Sequence, residues 1–172
     1  EVLADDATHE DPFVRVELLA ELAKAAGPAG MVGGQMMDLA AEQANFDLPT
    51  TTRLQQLKTG ALIAFCLEAG AIMGRAGEPQ RKRLRGYAKD LGLAFQIADD
   101  LLDIDGDSAR TGKAVRKDAA AGKATFVSLL GRDRARQQAE MLIDQAIGHL
   151  NGFGREADML RAIARFAIER DR

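Results

Sequence analysis

The chain has 172 residues, 47% hydrophobic and 28% charged, which suits one folded domain with a substantial core. Its formal net charge of −3 argues against a nucleic-acid-binding surface, so any bound anion has to be met by a local basic cluster. The single cysteine, Cys66, excludes an internal disulfide and fits a reducing, cytoplasmic compartment. One cysteine and two distant histidines, His9 and His149, provide no zinc-ligand spacing.

Apolar residues recur at helical spacing along the chain, and no segment alternates with a period of two for long, so the sequence predicts an all-α fold. Pro12, Pro49 and Pro79 lie at predicted helix starts, whereas Gly27 and Gly106 are predicted to end helices. The predicted helices cover residues 12–26, 31 to about 43, 49–74, 78 to about 104, 125–130, 134–150 and 156–168.

The longest apolar run, from 60 to 74, is interrupted by Glu68 and is too short for a confident membrane span. We therefore expect a buried helix there and no integral membrane protein. Long helices joined by short turns, without a fixed-period repeat or a long linker, predict a single helical bundle over residues 1–172. No signal peptide opens the chain, and Glu1 in place of a methionine suggests that the sequence is cut or given in part.

An acidic edge in residues 95–103 is the most informative feature of the sequence. At about 100° per residue, Gln96, Asp99, Asp100 and Asp103 fall along one edge of a helix whose other side is apolar. Like charges at i,i+4 repel by about 0.2–0.5 kcal/mol per pair. Either free access of water or a divalent cation has to compensate, and for an isolated charge run a solvated face is the more common outcome.

Basic residues that could meet an anion occur at three places. Lys58 begins an apolar helix, where its stem can reach out to water or its ammonium can bind an anion. The adjacent Thr59 is ambiguous, because a helical threonine can bond back to the preceding turn. Residues 107–122 lack apolar periodicity and predict a mobile basic loop; there and just beyond it, Lys113 and Lys123 each follow a glycine, an arrangement that suits phosphate but is common in polar loops.

A calcium loop is the competing interpretation of the acidic run that starts at Asp103. Counted from that residue, an EF-hand would need its glycine where Ser108 stands and its bidentate glutamate where Ala114 stands. The register therefore fails. Magnesium fits better, since it takes one or two carboxylates, keeps several waters and shares its remaining positions with substrate phosphates.

A further pair of polar residues follows two glycines in the second predicted helix. Gln35 and Asp38 share a helix face at i,i+3. Gly33 and Gly34 each cost about 1 kcal/mol relative to alanine inside a helix. Close packing against another helix is the more frequent reason for such glycines, and ligand access is the alternative.

Taken in order, these motifs resemble those of the trans-polyprenyl diphosphate synthases, in particular the short-chain bacterial farnesyl or geranylgeranyl diphosphate synthase type. The resemblance covers nearly the whole chain, and its most specific part is Phe-Gln-x-x-Asp-Asp-x-x-Asp followed by a lysine-bearing loop. The matching residues are Gly34-Gln35 with Asp38, Lys58-Thr59-Gly60, Phe95-Gln96 with Asp99, Asp100 and Asp103, Gly106-Asp107, Gly112-Lys113 and Gly122-Lys123 with Thr125.

The resemblance implies an isoprenoid-synthase-type helical bundle and a Mg²⁺-dependent prenyltransferase. Such an enzyme condenses an allylic diphosphate (dimethylallyl or geranyl) with isopentenyl diphosphate, and farnesyl diphosphate is the expected product. Metal and lysines stabilise the departing diphosphate, isopentenyl diphosphate attacks the allylic cation, and the released diphosphate takes up the proton. The implied roles are Mg²⁺ binding for Asp99, Asp100 and Asp103, diphosphate binding for Lys58, Lys113 and Lys123, the reacting centre for Lys58, Thr59, Gln96 and Asp99, and the pocket for Gln35 and Asp38.

One part of the family pattern is missing. Family members carry a first Asp-rich motif followed by paired arginines, and Asp5-Asp6 is not that motif because His9 stands four residues beyond Asp5 and no arginine pair follows. We therefore expect the C-terminal part of such an enzyme, unable to catalyse the reaction as given. The complete enzyme is expected to be a homodimer.

The sequence also leaves three alternatives open. A terpene cyclase-like enzyme also ionises prenyl diphosphates at Asp-rich helices, but the Gly-Lys loop counts against it. A non-catalytic subunit of a prenyl synthase is a second reading, although such proteins often lose these aspartates. A plain helical bundle with a hydrated acidic edge is the third, and it predicts no response to Mg²⁺ and pyrophosphate.

Overall fold

The computed structural model describes residues 1–109 and 124–169, without the side chains of 105–109. Every regular element in these two ranges is helical, which confirms the all-α prediction for them. The predicted basic loop, with Lys113 and Lys123, lies outside the described residues. The α-helices are α1 (Pro12–Ala26), α2 (Met31–Ala40), α3 (Leu48–Gln55), α4 (Ala61–Met73), α5 (Glu78–Ala109), α6 (Phe126–Leu130), α7 (Arg132–His149) and α8 (Asp158–Glu169).

Side-chain caps explain where several helices begin. The Asp11 carboxylate accepts a hydrogen bond from the Phe13 backbone N–H at 2.9 Å, at the start of α1. At the start of α3, Asp47 accepts from Thr50 N–H at 2.9 Å, and these hydrogen bonds from Thr50 hold the pKa of Asp47 below its ordinary value. Each capping residue satisfies a backbone donor that the first helical turn leaves unbonded.

The predicted end of the helix that carries the acidic edge is wrong. α5 continues to Ala109, although Gly106 was expected to end it. A single glycine costs only about 1 kcal/mol inside a helix, so it does not by itself stop one. The predicted helix over 49–74 is continuous but contains a π-helical turn, Gln56–Gly60, between α3 and α4.

The expectation that the apolar run 60–74 forms a buried helix is also wrong for the described residues. In α4 only Glu68, Ala71 and Ile72 are buried, because α1 and α5 cover one side of this helix. The stretch Leu48–Met73 is long and apolar enough to cross a membrane by length and composition, and 17% of its most apolar window is buried. One such helix is weak support for a membrane span.

The main core lies where α5 packs against α7 and α8. Tyr87 of α5 is fully buried and donates its hydroxyl to the Leu160 carbonyl of α8 at 2.7 Å. Other members of this core include Leu91, Ala94, Ile97 and Leu101 from α5 and Ala139, Leu142, Ile143 and Ala146 from α7. The acidic edge of α5 points away from this apolar stripe.

A buried ionic cluster ties α1, α4 and α5 together. Glu68 is 7% exposed, and its carboxylate accepts from Arg81 Nε at 2.6 Å and from Arg85 Nη1 at 3.2 Å. Arg81 also donates to Glu17 at 2.9 Å. Burial alone lowers the pKa of Arg81, but the hydrogen bonds to Glu17 and Glu68 outweigh burial and leave that pKa above its ordinary value.

Candidate active site

Two close backbone contacts bring the helices of the site together. A Cβ atom built on Gly34 of α2 would lie 2.2 Å from the backbone nitrogen of Lys58 and 2.6 Å from the Lys58 Cα. On α5, a Cβ built on Gly92 would lie 3.2 Å from Gly60 Cα. No side chain fits at Gly34, so close packing of α2 on the π turn is confirmed as a reason for that glycine.

Lys58 lies within the π turn and pairs with a carboxylate. Its Nζ is 2.8 Å from Asp38 Oδ2, and the two side chains are 35% and 15% exposed. The sequence left open whether Lys58 reaches water or meets an anion, and Asp38, twenty residues earlier, is the anion that it contacts here. π turns inside α-helices occur often at functional sites.

A chain of hydrogen bonds crosses the site from the π turn to α6. Thr59 Oγ1 donates to Gln96 Oε1 at 3.4 Å, and Gln96 Nε2 donates to Asp100 Oδ1 at 3.3 Å. Asp100 Oδ2 accepts from the Phe126 backbone N–H at 2.8 Å. The hydrogen bond from the Phe126 backbone is the shortest of the three, so Asp100 fixes the start of α6 against α5. Through its other oxygen, Asp100 orients the Gln96 amide.

The three aspartates of the acidic edge have different surroundings. Asp100 is buried at 7% exposure, Asp99 is half-buried and Asp103 is exposed. The buried carboxylate is stabilised by the hydrogen bonds described above. The sequence pattern does not predict which of the three is buried, and the packing of α6 distinguishes Asp100 from its neighbours.

A small polar cavity of about 100 Å³ lies beside the Lys58–Asp38 pair. Gln35, one turn before Asp38 on α2, is exposed and is not among the residues that line this cavity. Lys113 and Lys123 lie outside the described residues. The lining residues are Asp38, Ala41, Phe46, Thr51, Leu54, Gln55, Lys58, Gln96, Asp100, Ala124 and Thr125.

The donor chemistry suits a hard cation that completes its coordination elsewhere. In the part of the chain that the structure describes, no group of three or more His, Cys, Asp or Glu side chains could enclose a metal ion. Asp99 and Asp103, one helical turn apart, offer oxygen ligands on the accessible side of α5. Magnesium takes one or two carboxylates and fills its other positions with water and phosphate oxygens, so these residues fit it better than a metal that needs a closed site.

This chain is similar to known proteins in both sequence and fold. Residues 8–165 match the Polyprenyl synthetase family. The chain belongs to this family. It is 40% identical over 164 residues to farnesyl diphosphate synthase of Escherichia coli (strain K12), a match that covers 92% of this chain and 54% of that protein.

Two further proteins are similar to this chain over nearly its whole length. A dimethylallyltranstransferase of Fischerella ambigua (strain UTEX 1903) is 41% identical over 161 residues, covering 93% of this chain and 46% of the relative. A crystal structure of an FPP/GFPP synthase from Zymomonas mobilis superimposes with a TM-score of 0.86 at 59% identity, covering 96% of this chain and 55% of that one. The helical fold expected from the resemblance is confirmed, and the chain spans about half the length of these relatives.

Proposed function

We propose that this chain forms the Mg²⁺–diphosphate side of a trans-prenyltransferase that condenses dimethylallyl or geranyl diphosphate with isopentenyl diphosphate. The observation that carries the proposal is that Lys58, Gln96 and Asp100 line one polar cavity, while Asp99 and Asp103 lie on the same edge of α5 as Asp100. A cation beside carboxylates is the arrangement that a metal–diphosphate complex requires. Family membership and the relatives named farnesyl diphosphate synthase add support.

The described side chains have different proposed roles in binding the diphosphate. Lys58, held by Asp38, provides a point charge for phosphate oxygens. Asp99 and Asp103 are the proposed Mg²⁺ ligands, and Mg²⁺, when bound, would stabilise negative charge on the departing diphosphate. Thr59 and Gln96 line the reacting centre and are oriented through each other. Lys113, Lys123 and Gln35 stay predicted contributors to diphosphate binding and to the pocket.

Asp100 has a separate proposed role. Its two carboxylate oxygens accept from Gln96 and from the Phe126 backbone, so it positions the Gln96 amide and anchors α6. Its role as a metal ligand stays a prediction from the family resemblance. We expect its substitution to act on stability more strongly than that of Asp103.

The remaining features belong to the complete enzyme. We propose that it is a cytoplasmic homodimer with farnesyl diphosphate as product, in line with the name of the E. coli relative. We also propose that residues 1–172 form one helical domain that provides one wall of the active site. The isopentenyl diphosphate site and the first Asp-rich motif would then belong to the other wall.

Thermal unfolding with ligands tests this function. Mg²⁺ and inorganic pyrophosphate together should raise the Tm of the chain, because a ligand at about 100 times its Kd adds about 2.7 kcal/mol to the free energy of unfolding. Each ligand alone, and Mg²⁺ with sulfate, are the controls and should have smaller effects. A Tm unaffected by the pair would contradict the proposed site and favour a hydrated acidic edge.

An activity assay addresses the half-site part of the proposal separately. With geranyl and isopentenyl diphosphates and Mg²⁺, we expect no farnesyl product from this chain alone. Mg²⁺-dependent product formation would show that the chain contains both walls of the active site. That result would leave the prenyltransferase assignment standing and overturn only the division into two walls.

A further inference from the structure

Two residues of α3 that line the polar cavity each carry a buried polar atom without a partner among the described residues. Thr51 is 2% exposed, and within residues 1–109 and 124–169 its Oγ1 has no hydrogen-bond partner. Gln55 lies one turn later on the same helix face, and its Oε1 is likewise buried and unbonded among the described residues. Both residues line the cavity of about 100 Å³.

The orientation of Thr51 differs from that of its neighbour. Thr52 Oγ1 bonds back to the Leu48 carbonyl at 2.8 Å, which is the usual local solution for a helical threonine. The Thr51 hydroxyl does not make the equivalent bond, and Thr51 is a residue that lines the cavity. Leaving two acceptors unbonded in the interior is unfavourable, so an occupant of the cavity is expected to bond them.

The size and lining of the cavity identify the kind of occupant. Water needs only about 10–15 Å³ of accessible volume and two to four polar partners, and a cavity of about 100 Å³ with this polar lining provides both. Its charged and amide lining residues include Asp38, Lys58, Gln96 and Asp100. Lys58 pairs with Asp38, and Asp100 accepts from Gln96 and from the Phe126 backbone, so both carboxylates that line the cavity already have protein partners.

We infer that this cavity is a binding site for ordered water, in which at least one molecule bridges Thr51 Oγ1 and Gln55 Oε1. The water fills the junction between α3, the π turn and α5, and it gives both buried atoms the bonds that the described residues do not supply. This inference concerns hydration only, so it holds or fails independently of the proposed prenyltransferase function.

A crystal structure of the chain tests the inference directly. We expect ordered water within about 3.2 Å of both Thr51 Oγ1 and Gln55 Oε1. A closed, dry cavity, with the Thr51 hydroxyl turned back to the Asp47 carbonyl, would overturn the inference. This measurement uses the unaltered chain and does not depend on a variant that folds.

Paired valine variants give a second test in solution. Thr51→Val removes a hydroxyl that binds the water, so we expect Tm to fall by about 2–6 °C. If the cavity were dry, the same variant would remove an unbonded polar atom and raise Tm. Thr52→Val, on the same helix, is the matched control for losing a hydroxyl whose partner is protein.

The ionic composition of the buffer distinguishes water from a monovalent cation. With water in the cavity, Tm at equal ionic strength should be the same in potassium, sodium and N-methylglucamine chloride. A rise in Tm specific to potassium or sodium that Thr51→Val abolishes would identify a metal cation as the occupant and overturn the inference.

Discussion

Gly34 of α2 and Lys58 of the π turn pack backbone against backbone: a Cβ built on Gly34 would lie 2.2 Å from the backbone nitrogen of Lys58. Gly34→Ala should therefore push α2 away from the π turn and displace Lys58. We expect the free energy of unfolding to fall by about 1–3 kcal/mol, the range for overpacking a tight contact. Urea unfolding followed by circular dichroism measures this change.

Gly70→Ala is the matched control for the Gly34 substitution. Gly70 is an exposed helical glycine of α4, and a Cβ built there meets no atom within 4 Å. Alanine should stabilise the helix at this site by about 0.5–1 kcal/mol. Equal effects of the two substitutions would show that helix propensity, and not the contact with Lys58, governs Gly34.

Asp100→Asn should destabilise the fold, whereas Asp103→Asn should not. Gln96 and the Phe126 backbone donate to different oxygens of Asp100, and asparagine replaces one of these oxygens with an NH₂ group that cannot accept. A buried donor without a partner costs about 1–3 kcal/mol. Asp103 is exposed, and its substitution should change stability by less than about 0.5 kcal/mol.

The rise in Tm on ligand binding should depend on Asp103 more than on Asp100. Asp103→Asn should reduce the rise in Tm produced by Mg²⁺ with pyrophosphate, because it removes a proposed metal ligand. Differential scanning fluorimetry of both variants, with and without the ligands, measures stability and binding together. A strongly destabilised Asp103→Asn with a normal ligand response would reverse the assigned roles.

Lys58→Met should weaken binding of pyrophosphate more than it weakens the fold. Lys58 is 35% exposed, and an ion pair this accessible contributes about 0–1 kcal/mol to stability. Its ammonium is the described cation to which we assign diphosphate binding. Calorimetric titration with pyrophosphate and Mg²⁺ should give a Kd raised by about tenfold, as expected for losing one charge-assisted contact of about 1.4 kcal/mol.

Lys24→Met is a suitable comparison for the lysine substitution. Lys24 also pairs with a carboxylate, Glu21, at 2.6 Å, but on an exposed face of α1. Its loss should leave pyrophosphate affinity unchanged. If both variants lowered the affinity equally, net charge would explain the effect and the specific role of Lys58 would be excluded.

Local periodicity was sufficient to predict the helices and the acidic edge, but not the environment of each carboxylate. Asp99 and Asp100 are adjacent on α5, and which one is buried depends on α6, whose first backbone N–H binds Asp100. The pairing of Lys58 with Asp38 and the buried position of Thr51 likewise depend on how separate helices pack. The π turn has no apolar signature, so the sequence predicted only a continuous helix.

The burial of α4 is another feature that the sequence alone could not predict. Its apolar composition correctly predicted a helix, yet most of its residues are only half-buried by the described elements. Composition reports what a helix can bury, whereas the neighbours available in the fold decide how much it does bury. Gly34 is the converse case, since packing was the expected reason for it and the contact with Lys58 confirms that reason.

Tyr87 offers a spectroscopic test of the core, because the chain has one tyrosine and no tryptophan. Burial raises the pKa of Tyr87 from 10.0 to about 12. The folded state therefore holds the phenol proton more tightly than the unfolded state does. This contribution to stability is complete below pH 10 and is lost as pH rises to about 12.

We expect tyrosinate absorbance in the native chain to appear near pH 12 or together with the loss of helical circular dichroism. In denaturant the same group should titrate near pH 10, its ordinary value. Tyr87→Phe should abolish the signal and cost about 0.5–1.5 kcal/mol, since it removes the hydrogen bond to the Leu160 carbonyl. A tyrosinate signal near pH 10 in a chain that is still helical would mean that water reaches Tyr87, and the packing of α5 on α8 would then be looser than described.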